Sequence, residues 1–276
     1  MEVYTLFVGQ GHLTVIARED EAIIVDTHLP GPNDSGIYVK PALAKALRGR
    51  KLVGLILTSF DADHADPRGI TMILGTYWPY WVMYPSYYKD TRVAGEVFGT
   101  IKSFEARWAG SRRELERIPI RLDRLEGRMF DDLADNLAIE VFSPHPQDMD
   151  CSNNSSLVAR VTPKGRKRGF SYLITGDTEN DRWVSINRIF GADLQSDVME
   201  APHHGSKNGI NAETLALVQP SIALVSAGTE RKYGHPHVEA LRLFKQAGTQ
   251  CFSTHEGCSL RTFAGPRGLQ TEVWNG

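Results

Sequence analysis

Short apolar runs, each followed by an acidic residue or a histidine, constrain the fold of this chain most. Near the N-terminus, polar turns separate the runs VYTLFV, LTVIA and AIIVD, a pattern that predicts an antiparallel meander. Further along, apolar runs alternate with helical patterns such as GIYVKPALAKALRGR and HVEALRLFKQAG. Because the strands come in two batches, each mixed with helices, we predict an α/β fold with two sheets packed face to face and helices outside.

The length and the continuity of this pattern indicate one domain. At 276 residues with 41% hydrophobic content, the chain can bury a full core. No low-complexity linker interrupts the alternation, so we predict a single domain over residues 1–276. Within it, residues 86–128 are predicted to be mostly helical, and the runs QCFST and CSLRTF are predicted to be the last pair of strands.

Charge and cysteine content exclude several classes of protein. A formal net charge of −2 gives no overall attraction to nucleic acid or to an anionic membrane, so a polyanion would have to meet a local basic patch. Cys151, Cys251 and Cys258 form no C-x-x-C pair and are predicted to be free buried thiols in a reducing compartment. With neither a signal-peptide pattern nor about 20 consecutive apolar residues, we expect a cytoplasmic protein without membrane insertion.

Side chains that can bind a metal recur where the predicted strands end. They are Asp26, Asp61, Asp63, His64, Asp177, His203, His204 and His235. Loops at one rim of a sheet bring ligand groups together from distant parts of a sequence. Oxygen and imidazole donors without thiolates suit Zn, Mn or Fe, and an acid-rich set favours Mn. A divalent cation would also offset the repulsion among the crowded acidic groups of residues 61–64.

Each of these motifs also has an ordinary structural interpretation. Residues 61–64 (DADH) are also typical of an N-cap for the following helix, and the Gly-Asp pair at 176–177 is typical of a turn. Residues 203–206 (HHGS) suit a surface turn, and residues 233–237 (YGHPH) suit a helix entry with Pro236 in its first turn. The occurrence of all four at strand ends favours a site.

Taken as a set, these motifs resemble the metallo-β-lactamase superfamily, and within it the cytoplasmic hydrolase domain of ComEC-type DNA-uptake proteins in a stand-alone form. The resemblance rests on FVGQGHLTVI, IIVDT, SFDADH, NNSSLV, LITGD, APHHGS, YGHPH and STHEGC, and it spans nearly the whole chain. It implies a four-layer αββα sandwich with the site at its rim.

The resemblance also implies residue roles. Asp61, Asp63, His64, Asp177 and His235 would be metal ligands, with Asp177 shared between two metals. Asp63 would also serve catalysis, and His204 together with His203 would face the scissile group as a ligand or general acid. Supporting or substrate-contacting roles fall to Asp26, His12, Ser59, Asn154, Ser206 and Lys207.

Two positions depart from the family pattern. Ser59 stands where the superfamily has its first histidine, and His12 stands where the ComEC group has an acidic residue. A hydroxyl binds a divalent metal more weakly than imidazole does, so we predict one tight Mn or Zn site and a second, weaker one. His12 could replace part of the lost imidazole, although it is equally compatible with a satisfied surface histidine.

The resemblance predicts a soluble metal-dependent nuclease or phosphodiesterase that acts on DNA, ahead of RNA, by metal-activated water. One alternative is a hydrolase of a small ester, lactone or β-lactam, and another is a metal-poor sensor or binding module. Basic runs at 112–117 and 163–169 could meet phosphates, but a solvated helix and a hairpin tip are their first interpretations. The aromatic residues at 78–81 and 85–88 could stack on bases, but core packing is the first interpretation.

Overall fold

The computed structural model describes residues 1–31, 38–87, 90–148, 152–165, 169–229 and 233–275. Its first sheet has eight strands, in the order β15-β14-β1-β2-β3-β4-β5-β6. In chain order these strands are β1 (Glu2–Thr5), β2 (Thr14–Arg18), β3 (Glu21–Val25), β4 (Lys51–Ile56), β5 (Trp81–Pro85), β6 (Glu116–Ile120), β14 (Ser259–Gly265) and β15 (Gly268–Trp274). The strands from β3 to β6 are parallel, and the other pairs are antiparallel.

The second sheet has seven strands, in the order β13-β12-β11-β10-β9-β8-β7. They are β7 (Arg128–Phe130), β8 (Leu137–Ser143), β9 (Val158–Pro163), β10 (Tyr172–Ile174), β11 (Val198–Glu200), β12 (Ile222–Val225) and β13 (Gln250–Ser253). The strands from β10 to β13 are parallel, whereas β7 to β10 pair antiparallel. Both sheets are therefore mixed.

Three apolar cores separate four layers. The helices are α1 (Val39–Ala46), α2 (Pro67–Tyr77), α3 (Arg92–Trp108), α4 (Asn180–Phe190), the single turn α5 (Pro202–Gly205), α6 (Ala212–Val218) and α7 (Val238–Gln246). One core joins α1, α2 and α3 to the first sheet, a second lies between the sheets, and a third joins α4, α6 and α7 to the second sheet. The predicted αββα fold class is therefore confirmed.

The predicted meander is confirmed, since β1, β2 and β3 are consecutive antiparallel neighbours. The helical prediction for residues 86–128 is wrong after α3, because the chain returns as β6, where Ile118 and Ile120 are buried and alternate with exposed or half-buried residues. Pro119 is tolerated there because β6 is an edge strand.

The last two predicted strands are confirmed. QCFST forms β13, which joins the second sheet, and CSLRTF leads into β14, which joins the first sheet and pairs with β1. The chain then adds β15, an edge strand with few buried residues and therefore a weak sequence signal.

Three further findings concern the cysteines, the tryptophans and the apolar character of the helices. Cys251 and Cys258 are free and half-buried, and burial raises the pKa of the Cys251 thiol to about 12; Cys151 lies outside the described residues. Trp81 is buried, and its indole N–H donates to the Leu133 carbonyl at 2.8 Å, whereas Trp78 is 49% exposed. Among the helices that the structure describes, we find none with the length and apolar character needed to span a bilayer.

Candidate metal centre

The predicted site residues lie at the rim where both sheets present the carboxyl ends of parallel strands. Asp26 follows β3, and residues 58–64 follow β4 in the first sheet. Asp177, the 203–204 pair and His235 follow β10, β11 and β12 in the second. Parallel neighbours end at the same edge, which is why residues so distant in sequence converge. A hydrogen bond from the Leu157 N–H to the Thr58 carbonyl, at 2.8 Å, joins the two sheets there.

Four side chains form the centre of this rim: Asp63, His64, Asp177 and His204, here called the inner group. Each offers one ligand atom, and these atoms all lie within 4.8 Å of one another. His64 Nε2 lies 3.0 Å from Asp177 Oδ1. His204 Nε2 lies 3.6 Å from Asp63 Oδ2 and 3.7 Å from Asp177 Oδ1.

Three atoms of the inner group have no hydrogen-bond partner among the described residues. They are His64 Nε2, His204 Nε2 and Asp177 Oδ1, and all three are buried. Their contacts with one another are ion-pair contacts of 3.0–3.7 Å without regular hydrogen-bond geometry. Buried polar atoms are nearly always hydrogen-bonded, so three that converge without a hydrogen bond need an explanation. Two imidazoles and two carboxylates are a donor set that Zn or Mn accepts. The residues present therefore fit a divalent metal.

Asp26 orients the inner group from behind. Its Oδ1 accepts from the Thr58 N–H at 2.7 Å, and its Oδ2 accepts from the Thr58 hydroxyl at 2.7 Å. The same Oδ2 lies 2.7 Å from His64 Nδ1, which directs the other ring nitrogen of His64 toward Asp177. Burial opposes the charged form of Asp26, but His64 and His12 outweigh it and hold the pKa of this carboxyl below its usual range.

Several side chains of the site are carried by residues whose backbone adopts the left-handed conformation. Asp26 has φ +59°, and His203 and His204 have φ +51° and +54°. An L-residue other than glycine seldom adopts this conformation, so the surroundings must stabilise it. The His203 N–H donates to the Gly176 carbonyl at 2.9 Å, and His204 Nδ1 lies 2.8 Å from the Ser226 carbonyl. These contacts fix the turn so that His204 Nε2 points into the inner group.

The carboxylates of the inner group stabilise positive charge at its centre, either protons on the histidines or a bound cation. Burial works against a charged His64, but Asp177 and Asp26 raise its pKa well above the ordinary value. The pKa values of Asp63 and Asp177 are lowered, because burial is outweighed in both by neighbouring histidines. Metal binding would have to displace the protons of these imidazoles and would therefore depend on pH.

Four other predicted residues lie around the inner group and are here called the outer group: Ser59, Asp61, His203 and His235. Ser59 Oγ accepts from the Asp61 N–H at 3.2 Å, and Asp61 accepts from the Ser152 hydroxyl. His203 Nδ1 lies 3.3 Å from Glu179 Oε1, and its Nε2 lies 3.9 Å from Asp177 Oδ2. These side chains contact neighbours outside the inner group, although His203 Nδ1 is also buried and makes no regular hydrogen bond among the described residues.

His235 is close to the inner group without being part of it. Its ring centroid is 6.1 Å from that of His204, and its Nδ1 lies 3.5 Å from the Gln10 side-chain nitrogen. Burial and then the neighbouring histidines lower the pKa of His235 to about 4, so the ring is neutral at physiological pH. A neutral imidazole is the form that binds metals.

His12 is buried and not at the surface. Its Nδ1 lies 3.0 Å from Asp26 Oδ2, while its Nε2 lies 3.1 Å from the Thr14 hydroxyl and 3.3 Å from Glu200 Oε1. Both ring nitrogens are therefore engaged behind His64. With Asp26 and His64, His12 forms a second cluster of potential ligand atoms.

The predicted supporting residues line the loops next to the site. Asn154 Oδ1 accepts from the Glu179 N–H at 3.2 Å and so orders the chain after Asp177. Ser206 is buried, and its Oγ accepts from the Asn208 N–H at 3.3 Å. Lys207 is exposed beside the turn.

The other predicted features have less bearing on the site. Residues 61–64 do not cap α2, because Asp66 caps it by accepting from the Arg68 N–H at 2.8 Å. Pro236 precedes α7, whose N-cap is His237. In the basic hairpin, Lys164 donates to the carbonyls of Asp131 and Ala134, and residues 166–168 lie outside the described residues.

The sequence analysis missed residues that shape the site. Thr58 contacts Asp26 and His64, and Glu179 contacts His203. The His237 ring centroid lies 4.8 Å from that of His235, and the Lys207 N–H donates to its Nδ1 at 3.1 Å. The second histidine of YGHPH was a visible signal for His237. A threonine at a strand end and a glutamate at a helix start are too common to be a signal.

Sequence comparison adds relatives to this geometry. ComE operon protein 3 of Bacillus subtilis is 31% identical over 126 residues, which is 46% of this chain and 16% of that protein. Recombination protein 2 of Haemophilus influenzae is 28% identical over 251 residues, or 89% of this chain and 27% of that protein. The predicted resemblance to ComEC-type proteins is confirmed. Competence protein ComA of Neisseria gonorrhoeae is 24% identical over 96% of this chain and 32% of that protein.

The chain thus spans about a sixth to a third of the length of these curated relatives. No family model matches the chain.

Structure comparison concerns the fold. Unliganded yeast PDE1 is similar over 95% of this chain and 99% of that one, with a TM-score of 0.50 and 9% identity. Igni18, a metallo hydrolase from Ignicoccus hospitalis, matches over the full length of both chains with a TM-score of 0.49 and 13% identity. At such identity the likeness to yeast PDE1 shows a shared fold, and the chemistry of this chain has to be argued from its own residues.

Proposed function

We propose that this chain is a metal-dependent hydrolase that cleaves phosphodiester bonds in nucleic acid, DNA ahead of RNA. The observation that carries the proposal is the inner group, in which three buried atoms without a hydrogen bond converge on one place. Relatives named for competence and recombination support DNA as the substrate. A cytoplasmic location stays a prediction.

The inner group would hold a Mn or Zn ion through Asp63, His64, Asp177 and His204. There a divalent metal supplies positive charge for a phosphoryl oxygen and activates a water for attack. With a metal bound, Asp26 would accept from the Nδ1–H of His64 and leave Nε2 as the ligand atom. The outer group, which includes His235, would serve a second and weaker metal site.

His203 is the best-placed proton donor for the leaving oxygen. His204 points its Nε2 into the inner group, whereas His203 lies at the edge of the site and keeps 22% of its side chain exposed. Glu179 Oε1 lies 3.3 Å from its Nδ1 and would orient the ring. A positioned imidazole of this kind contributes roughly 10²–10⁴-fold to a hydrolysis rate.

The function is tested with purified protein, supplied with Mn or Zn in separate reactions. The substrates are single-stranded DNA, double-stranded DNA, RNA and bis(p-nitrophenyl) phosphate, with a β-lactam and a simple lactone as controls. We expect metal-dependent cleavage of DNA and of the phosphodiester, and loss of both in Asp63→Asn. Turnover of the β-lactam or lactone alone would overturn the proposal in favour of a small-molecule hydrolase.

A second test separates a polyanionic substrate from a small neutral one. Each phosphate that the protein neutralises releases condensed counterion, so log K for a single strand falls by about 0.7 per contacted phosphate for each unit of log salt. We therefore expect KM for a DNA oligomer to rise with ionic strength. A KM that does not change with salt would count against nucleic acid.

A further inference from the structure

An aromatic cavity of about 520 Å³ lies at the carboxyl end of β5 and along β6, and it is lined by Phe60 from the loop that carries Asp63 and His64. Its walls include Phe60, Tyr84, Tyr87 and Phe98, with Arg117 at one side. Since β4, β5 and β6 are parallel, the cavity opens at the same edge of the first sheet as residues 58–64. We call it the aromatic cavity.

The rings of its walls are held by one another. The Phe60 and Tyr84 centroids are 5.7 Å apart at 70°, and those of Tyr84 and Phe98 are 6.0 Å apart at 86°. Edge-to-face contacts of this kind are favourable and fix ring orientation. Phe60 and Tyr84 are buried, whereas Phe98 and Tyr87 are half-buried. The cavity is therefore rigid on its inner side and accessible on its outer side.

Phe60 connects the cavity to the metal centre. It lies between Ser59 and Asp61, and the hydrogen bond from the Asp61 N–H to Ser59 Oγ, 3.2 Å long, fixes the turn around it. Asp63 and His64 follow in the same loop. A planar group in the cavity would lie next to the loop that carries half of the inner group.

Positive charge borders the cavity. Lys102 Nζ lies 4.7 Å from the Phe98 ring centroid, and the Arg117 guanidinium carbon lies 5.9 Å from the same centroid. Glu105 pairs with Arg117, its Oε1 lying 2.8 Å from Nε. Arg117 in the wall and Lys102 behind Phe98 thus place positive charge near the rings, which suits a ligand with a planar ring and an attached phosphate.

We propose that the aromatic cavity binds a nucleobase of the substrate, on the nucleotide next to the phosphodiester that is cleaved. This rests on the proposed function and adds a substrate class, which is nucleic acid with an unpaired base. A base inside a duplex is already stacked and paired and cannot enter, so single strands and frayed ends are preferred. Because every base has a flat π-face, we expect the cavity to discriminate little between the four bases.

The test compares two single-stranded phosphorothioate oligomers of equal length, a fluorescein-labelled oligothymidylate and an abasic oligomer with the same backbone. Phosphorothioates resist hydrolysis, so fluorescence anisotropy with Mn-loaded protein measures binding independently of cleavage. We expect the wild type to prefer the base-bearing oligomer by about 5- to 150-fold, the range of stacking one base on aromatic rings.

Matched variants locate the preference. Phe98→Leu keeps apolar volume and removes a cavity ring, so it should abolish most of the preference for bases. Phe104→Leu makes the same substitution on α3, where Phe104 contacts Trp108 at 5.4 Å, and should keep the preference. Tyr87→Ala, outside the strands and helices, repeats the test with little risk to folding.

The possible outcomes distinguish a failure of the base site from a failure of the proposed nuclease function. Equal binding of both oligomers by the wild type, or an unchanged preference in Phe98→Leu and Tyr87→Ala, overturns the base site even if DNA is hydrolysed. A preference that these variants remove, in a protein that hydrolyses no oligonucleotide, keeps the base site and overturns the nuclease.

Discussion

The inner and outer groups of the metal centre are built differently, although both consist of histidines and acidic or hydroxyl side chains. In the inner group, three buried atoms make no regular hydrogen bond and converge on one place. In the outer group, the Asp61 N–H donates to Ser59 Oγ, and the Asp61 carboxylate accepts from Ser152. His235 faces Gln10, and His203 lies against Glu179. Burial and fixed orientation thus separate a preorganised metal site from side chains that would have to rearrange before binding.

The difference also has an electrostatic side. In the inner group, raised imidazole pKa values and lowered carboxyl pKa values show groups that already compensate one another. In the outer group, His235 has a lowered pKa because burial and neighbouring histidines disfavour its charged form. We therefore expect one tightly held metal in the inner group and a second that depends on its free concentration.

The largest expected effect follows from removing the carboxylate at the centre of the inner group. Asp177→Asn should lower the hydrolysis rate roughly a thousandfold, since metal-supplied charge is worth several kcal/mol and each 1.36 kcal/mol is tenfold. Asp197→Asn, at an exposed position, is the control. The measurement is the initial hydrolysis rate of each variant at saturating Mn. An undiminished rate in Asp177→Asn would exclude Asp177 as a metal ligand.

A smaller effect is expected from the support behind the inner group. Asp26→Asn keeps a side chain that tolerates left-handed backbone but loses the charge that orients His64. Metal affinity, measured by calorimetric titration, should fall about 10- to 100-fold. An unchanged dissociation constant would mean that Thr58 alone orients the ring. Thermal unfolding of the metal-free variants checks that the change is local.

The comparison is sharpened at Ser59, the member of the outer group that stands where the resembled superfamily has a histidine. Elemental analysis of dialysed wild-type protein should find one metal per chain, because a hydroxyl is a poor ligand. Ser59→His should raise the retained metal and shift preference toward Zn. If the wild type retains two equivalents without added metal, another residue has fully replaced the histidine.

The smallest effect concerns phosphate contact outside both groups. Lys207→Ala should reduce the slope of log KM against log salt by about 0.7, the contribution of one phosphate in a single strand. The control is Lys245→Ala. Lys245 is exposed in the last turn of α7, away from the metal centre, so its removal should leave the slope of log KM against log salt unchanged. Equal slopes in the two variants would exclude Lys207 as a phosphate contact.

Much of the fold was predictable because it is local. The opening meander and the helices at 180–190 and 238–246 show their period and their turns in the sequence. The assignment of β13 and β14 to different sheets was not predictable, since two adjacent apolar runs do not reveal distant partners. Strand β6 was not predicted, because it contains Pro119 and a proline argues against a strand except at the edge of a sheet.

The candidate site was predictable in its location more than in its arrangement. Strand ends indicated the residues of the rim, including Asp63, His64 and Asp177. They could not indicate that His204 completes the inner group while His235 stands apart, because this depends on the left-handed turn at 203–204. The burial of His12 behind His64 depends on Glu200, a residue 188 positions away that carried no signal of its own.

The central position of β1 also determines when this protein can finish folding. One neighbour, β2, follows it directly, but the other is β14, and the Phe7 N–H reaches Ser259 across 252 positions. Until a ribosome has delivered β14, the nascent chain presents β1 as an open edge that can pair with other chains. Contacts so distant in sequence form slowly, so we expect completion of the sheet to follow synthesis and to need protection by chaperones.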